Sequence, residues 1–404
     1  MDNNPEDPAE LNDHVRRLSV EIGARPIGSP ANQTAADYIG QAFLSANLEL
    51  EEQAYPCVDW EHSGTNLEIN GKPAPVSANV FSLPCDVTAQ CIPLCSLAEL
   101  ESADIREKIV IFYGDLAKVQ LSPKSWFLIS PAEQRIIALL EEKRPAALLA
   151  PPAATVEYEQ VTEDWELDLA AATVPREVAL ALLHEPDARL RLRIDSRRVP
   201  ATARNIVARR KGPRPGKIVL MAHFDTKIGT PGALDNAGGV AVLLGMASTL
   251  NKSTLACGLE FVAFNGEEYL PVGDDEYLRR GEQDFGSIIA AINMDGVGAA
   301  MGTNSITTLA ANEEFESEVK SIAGGYSGVV WVDPWPESNH STFAMRGIPS
   351  IAFGSVGVRS LAHTPEDTLD QISAAKLAEV AQLARDIVLA LQVKPAGFGR
   401  LQQG

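Results

Sequence analysis

The chain has 404 residues, 45% of them apolar, and its 54 Asp and Glu against 34 Lys and Arg give a formal charge of −20. At about 150 residues per domain this length predicts two or three domains, and the apolar content excludes a wholly disordered chain. The negative charge repels phosphate backbones and anionic lipid, so neither nucleic acid nor membrane is expected as a partner. No run approaches ~18 consecutive apolar residues, so no transmembrane span is expected. The opening MDNNPEDPAELND is acidic where an export signal is basic and then apolar. Cys57, Cys85, Cys91, Cys95 and Cys257 are an odd number without Cys-x-x-Cys spacing. They read as reduced thiols of a cytoplasmic protein.

In chain order, apolar residues at helical spacing predict helices over 11–22 and 31–45. The turn formers Arg25-Pro26-Ile27-Gly28-Ser29-Pro30 join them. From 57 to 200 short β-like runs, at 108–114 and 146–151, alternate with Pro and Gly. Helices are predicted there over 131–142 and 176–183. This stretch reads as a smaller α/β, β-rich or α+β domain (57–200) inserted into a discontinuous domain made of 1–56 and 201–404. Strands follow at 205–208, 217–222, 259–264, 288–294 and 348–353, with helices at 238–250 and 376–391. Such alternation predicts an α/β fold, a mainly parallel mixed sheet covered by helices on both faces. Ligands of these sheets lie beyond the carboxyl ends of the strands.

Polar residues of one chemical kind fall at those ends. His223 and Asp225 follow the strand ending at Ala222, and Asp235 comes ten residues after Asp225. Glu267 and Glu268 follow the strand ending at Phe264, Asp295 follows Met294, and His363 follows the last strand. In a parallel sheet all of them stand at one edge, where converging carboxylates repel each other unless a cation neutralises them. Imidazole with carboxylate suits zinc, cobalt or manganese. Two histidines and three carboxylates suffice for two ions if one carboxylate bridges. The charge also closes: two divalent ions balance Asp235, Glu268, Asp295 and one hydroxide. Glu267 is then left over beside the water, the place of a general base. Singly, each piece has a bland reading, Asp235 as an N-cap or Glu267-Glu268 as an acidic helix start. Four strand ends each delivering a ligand-type residue outweigh those readings.

The set His223-Phe224-Asp225, Gly232-Ala233-Leu234-Asp235-Asn236-Ala237-Gly238, Asn265-Gly266-Glu267-Glu268, Asn293-Met294-Asp295 and His363-Thr364-Pro365-Glu366-Asp367-Thr368 resembles the co-catalytic di-zinc exopeptidases. That family includes leucyl aminopeptidases, glutamate carboxypeptidases and glutaminyl cyclases. The resemblance covers 10–55 and 201–393 and implies an α/β/α sandwich; 57–200 more weakly resembles a protease-associated insert. By this resemblance Asp235 bridges two divalent ions, zinc foremost with cobalt or manganese as alternatives. His223 and Asp295 complete one ion, Glu268 and His363 the other. Asp225 orients His223, Glu267 is the base, and the Asp235–Asn236 peptide is cis. The implied activity is that of an aminopeptidase acting on peptides. The alternatives are a carboxypeptidase, with Arg279, Arg280, Arg346 or Arg359 holding the substrate carboxylate, a glutaminyl cyclase, and a non-catalytic binding module.

Departures from the family leave other residues open. Ser338-Asn339-His340 stands where Asp usually precedes the His, and His340 either donates to the oxyanion or serves the start of a helix. Tyr269-Leu270-Pro271 replaces the usual continuation after Glu268. Trp331 and Trp335 either wall a side-chain pocket or cover the sheet edge. The insert either restricts large substrates or mediates homo-oligomerisation. His14, His62 and His184 belong to no ligand-like cluster and read as structural or exposed.

Overall fold

The structure is a computed structural model and describes residues 7–152, 160–185 and 188–401. The chain divides into two compact units, Met1–Cys57 with Ala201–Gly404, and Val58–Pro200. The two crossing points fall within the long strands Glu49–Ile69 and Arg189–Arg210.

The larger unit is built on a mixed sheet. Its order is Val329–Trp331, Thr303–Leu309, Ser350–Val356, Ile288–Met294, Lys217–His223, Gly258–Phe264, then 206–210 of the long strand. The four strands from Ser350–Val356 to Gly258–Phe264 are parallel to one another. Thr303–Leu309 and the 206–210 stretch flank them antiparallel. The three innermost parallel strands are buried along their whole length except at Lys217, as strands covered on both faces must be. Alternate residues serve the two faces. Ile218, Leu220 and Ala222 join the core with the helices Pro8–Arg16, Gly238–Asn251 and Ala374–Leu391. Val219 and Met221 pack on the other side with Phe264, Tyr277, Phe285 and Phe343. The stretch Ala233–Asn251 is long and apolar enough to cross a membrane, but 89% of it is buried inside the fold, which makes it a core helix.

Of the four parallel strands Lys217–His223 comes first in sequence, yet it lies between Gly258–Phe264 and Ile288–Met294. The chain therefore leaves it to one side and later returns to the other. Such a switch point opens a crevice at the carboxyl edge of the sheet.

Of the readings left open for the smaller unit, the structure takes the α/β form. Cys85–Leu94, Ile109–Phe112, Ala147–Ala150 and Ala171–Thr173 form a parallel sheet. Ser77–Ala78 and residues 189–194 close it antiparallel. Its four-residue strands Ile109–Phe112 and Ala147–Ala150 are wholly buried because cores lie on both faces. The helix Pro131–Lys143 begins at a Ser130/Glu133 capping box with Pro at its first turn.

Candidate metal centre

His223 closes its strand, and Asp295 directly follows the neighbouring one. His223 Nε2 lies 3.3 Å from Asp295 Oδ1 and 3.1 Å from Asp235 Oδ1. The other oxygen of Asp235 faces elsewhere: Oδ2 is 3.2 Å from His363 Nε2, which is also 3.1 Å from Glu268 Oε2. Two triads result, His223–Asp235–Asp295 and Asp235–Glu268–His363, each with its ligand atoms within 4.8 Å of one another. Asp235 belongs to both, one oxygen to each. Glu267 stands beside the first triad, its Oε2 4.0 Å from His223 Nε2 and its side chain 24% exposed.

Hydrogen bonds from buried polar groups fix these side chains. Asp225 lies 3.6 Å from His223 Nδ1 and accepts the N–H groups of both Glu267 and Glu268. Behind that turn, Asn265 and Asn32 exchange a pair of amide hydrogen bonds of 2.9 Å. Asn205 accepts the Asn265 N–H and donates to the Gly273 carbonyl. Gly266 has φ of 91°, and an added Cβ would come within 2.8 Å of Ile27, so glycine is required at the head of the Glu267-Glu268 turn. On the far side, Asn236 donates to the Met294 carbonyl at 2.9 Å and accepts from Gly239. That ties the Asp235 turn to the strand end before Asp295. The Asp235–Asn236 peptide is cis.

The charge distribution asks for cations. Burial raises Glu267 well above the ordinary glutamate range, with Asp295, Glu268 and Asp235 reinforcing it against the pull of His223. Burial likewise raises Glu268, with Asp235 adding to it. Burial opposes charge on His223, yet Asp295 and Glu267 beside it raise it well above its ordinary value. Ionising all these acids together needs compensating positive charge. Glu268 Oε1 is buried and accepts no hydrogen bond among the described residues. A carboxylate oxygen so placed, with imidazole nitrogens and further carboxylates around it, has the chemistry of a divalent-ion ligand. The residues fit two such ions.

His340 departs from one expectation. It is fully buried. Its Nε2 lies 2.7 Å from the Trp335 carbonyl and its Nδ1 3.3 Å from Asn293 Nδ2. Carbonyl and amide engage both ring nitrogens, which leaves no N–H for an oxyanion; the ring braces the loop before the helix His340–Ala344. Trp335 is half-buried and sets its ring edge-on to His340, with centroids 4.6 Å apart. His14 is half-buried and bonds Tyr38, while His62 and His184 are exposed. Sequence reasoning gave no role to Arg25 or Asp367, which lie within quoted motifs and are fully buried. A charged residue inside a run of turn formers or a ligand loop was the available signal.

Comparison with known proteins points to a peptidase family. Residues 205–388 match the model of peptidase family M28. An aminopeptidase of Bacillus subtilis, YwaD, is 24% identical over 91% of this chain and 81% of its own. An aminopeptidase of Pseudomonas aeruginosa is 25% identical, over 73% of this chain and 56% of its own. Among solved structures, an aminopeptidase from Aneurinibacillus sp. strain AM-1 superposes with a TM-score of 0.78 at 23% identity, covering 98% of this chain and 95% of that one. A zinc aminopeptidase from Bacillus subtilis gives 0.76 at 21%, covering 96% and 95%. These two likenesses establish the α/β fold. All five ligand-type residues lie within the segment that matches the peptidase family M28 model.

Proposed function

We propose that this chain is a two-zinc aminopeptidase that hydrolyses the N-terminal residue from peptides. The observation that carries the reading is the split of Asp235, whose two oxygens face two different histidine triads. The M28 match and relatives named as aminopeptidases support it.

His223, Asp235 and Asp295 would hold one ion, and Asp235, Glu268 and His363 the other. Such ions, when bound, polarise a scissile carbonyl and lower the pKa of a water between them. Glu267, partly exposed and unclaimed by either triad, takes a proton from the attacking water and returns it to the departing amine nitrogen. Asp225 keeps Glu267 and His223 in register through a shared carboxylate. The carboxypeptidase alternative keeps one candidate, Arg359, exposed on the loop before His363; the other three arginines are engaged elsewhere. Arg279 and Arg280 are paired with Glu276, and Arg346 donates to the Thr342 carbonyl.

Two features complete the proposal. No disulfide joins the five cysteines among the described residues, which suits a reducing cytoplasm; fractionation of producing cells checks it. The Val58–Pro200 unit is read as a protease-associated-like insert, on its buried strand Ile109–Phe112 and the helix Arg176–His184 entered through Pro175.

The test is hydrolysis of peptides blocked at one end or the other, with metal content measured in parallel. Cleavage of C-blocked peptides, lost with a free-amine block and with chelator, is expected. Cleavage of N-blocked peptides with free carboxyl ends would overturn the aminopeptidase reading.

A further inference from the structure

The segment that carries Asp235 is gripped from two sides by buried charges. Arg25 is fully buried, and its guanidinium donates to main-chain carbonyls: Nε to Phe224 at 2.6 Å, Nη1 to Pro231 at 2.8 Å and Nη2 to Gly232 at 2.9 Å. Its own N–H goes to Thr226 Oγ1 at 2.9 Å. Asp367, also fully buried, accepts the next two amides, Leu234 N–H on Oδ1 at 2.6 Å and Asp235 N–H on Oδ2 at 3.0 Å. Its carbonyl accepts the Ala233 N–H at 3.2 Å. Carbonyls 231 and 232 thus belong to a cation, and amides 233 to 235 to one acidic residue. The packing leaves no slack, since a Cβ on Gly232 would stand 2.3 Å from Thr226 Cγ2 and 2.5 Å from the Asp235 carbonyl.

Asp367 has a second attachment. Its N–H donates to the Thr364 carbonyl, and the Thr364 hydroxyl donates to Leu361 at 2.8 Å. His363 lies inside this turn with φ of 64°, a left-handed backbone that its surroundings must hold. Asp367 therefore governs the backbone of two ligands of the Asp235–Glu268–His363 triad, but only one ligand of the His223–Asp235–Asp295 triad.

We propose that Arg25 and Asp367 are positioning residues that clamp Asp235 between the two cations, and that Asp367 makes the His363-side ion the more dependent on the clamp. The inference rests on the two-metal reading above. Charged hydrogen bonds to backbone are stronger than neutral ones, and groups that orient metal ligands typically change affinity by about 10- to 100-fold.

The test is metal binding, read apart from turnover. Asp367→Asn keeps shape and volume but turns one acceptor into a donor facing an amide N–H. Zinc titration by calorimetry and the absorption of the cobalt-substituted protein are followed for the unmodified chain, Asp367→Asn and Arg25→Lys. The unmodified chain should bind two ions. Asp367→Asn should keep one near its original affinity and lose about 10- to 100-fold at the other, with one set of cobalt bands changed. Arg25→Lys keeps the charge without the three-way grip and should weaken both ions. Equal loss at both sites in Asp367→Asn, or unaltered binding in both variants, would overturn the proposal. If one variant does not fold, the other still decides. No bound metal in the unmodified chain would instead defeat the two-metal reading itself.

Discussion

The carboxylate of Asp225 serves the turn that carries Glu267: Oδ1 accepts the Glu267 N–H and Oδ2 the Glu268 N–H, both at 3.2 Å. Oδ1 also lies 3.6 Å from His223 Nδ1. One buried acid thus sets a ligand of each triad and the base between them. Asp225→Asn retains one acceptor and sets an NH₂ group against the other backbone amide. Metal affinity should fall by about 10- to 100-fold, as for other groups that orient ligands, and kcat should fall beyond what restored metal recovers. Full activity at saturating zinc would show that Asp225 acts only through His223.

Glu267 separates binding from chemistry. It approaches His223 Nε2 at 4.0 Å but belongs to neither triad. Glu267→Gln preserves shape and removes the ability to take a proton. Metal stoichiometry should stay unchanged while kcat drops by about 10²- to 10⁴-fold, the usual worth of a general base. Elemental analysis beside steady-state kinetics checks both halves. A rate within a few fold of the unmodified chain would remove Glu267 from its role.

The turn that presents Glu267 also depends on a close backbone approach. A Cβ on Gly273 would lie 2.2 Å from the Asn265 carbonyl, 2.6 Å from Asn205 Oδ1 and 2.9 Å from Tyr55 Oη. Two of these atoms are fixed in a buried amide network. Gly273→Ala should therefore cost about 1–3 kcal/mol of stability by overpacking and lower kcat by displacing Asn265. Chemical denaturation and kinetics on the same preparation measure the two effects. An unchanged midpoint would show that the network yields freely.

What was legible in the sequence follows from chemistry with a period or a position. Strand ends followed by His, Asp or Glu marked His223, Glu268 and Asp295, because a parallel sheet sends every strand's carboxyl end to one edge. The strand Thr303–Leu309 went unread because, apart from Ile306, the residues it buries on its two faces are the polar Asn304, Ser305, Thr307 and Thr308, which carry no apolar alternation. The parallel core of the smaller unit was obscured for a different reason. Four-residue apolar runs do not declare their neighbours. His340 was ambiguous because its role turns on which carbonyl lies opposite Nε2, and that carbonyl belongs to Trp335, on a loop whose path no pattern dictates. Arg25 and Asp367 act on main-chain atoms, and main-chain contacts leave no imprint on the residues contacted.

Asp274 provides a pH-dependent test of how the His340 loop is held. It is buried at the start of the helix Val272–Gly281. Its Oδ1 accepts the Thr342 hydroxyl at 2.6 Å and its Oδ2 the Asn339 amide at 2.8 Å. These partners flank His340. Burial pushes the Asp274 carboxyl up to about 7, despite the two hydrogen bonds that favour its charge and with Asp275 and Asp225 adding repulsion. A native pKa above the unfolded one means that the folded chain holds the proton longer. The contribution to stability is then complete below about pH 4 and is lost as pH rises toward 7, at no more than about 1.4 kcal/mol per pH unit. Asp274→Asn keeps one acceptor and cannot ionise. The difference in unfolding free energy between the variant and the unmodified chain, measured in chelator, should therefore move in the variant's favour between pH 4 and 7. It should stay flat above that range. A difference independent of pH would show that Asp274 is ionised in the fold throughout, and that the Thr342 and Asn339 bonds outweigh its burial.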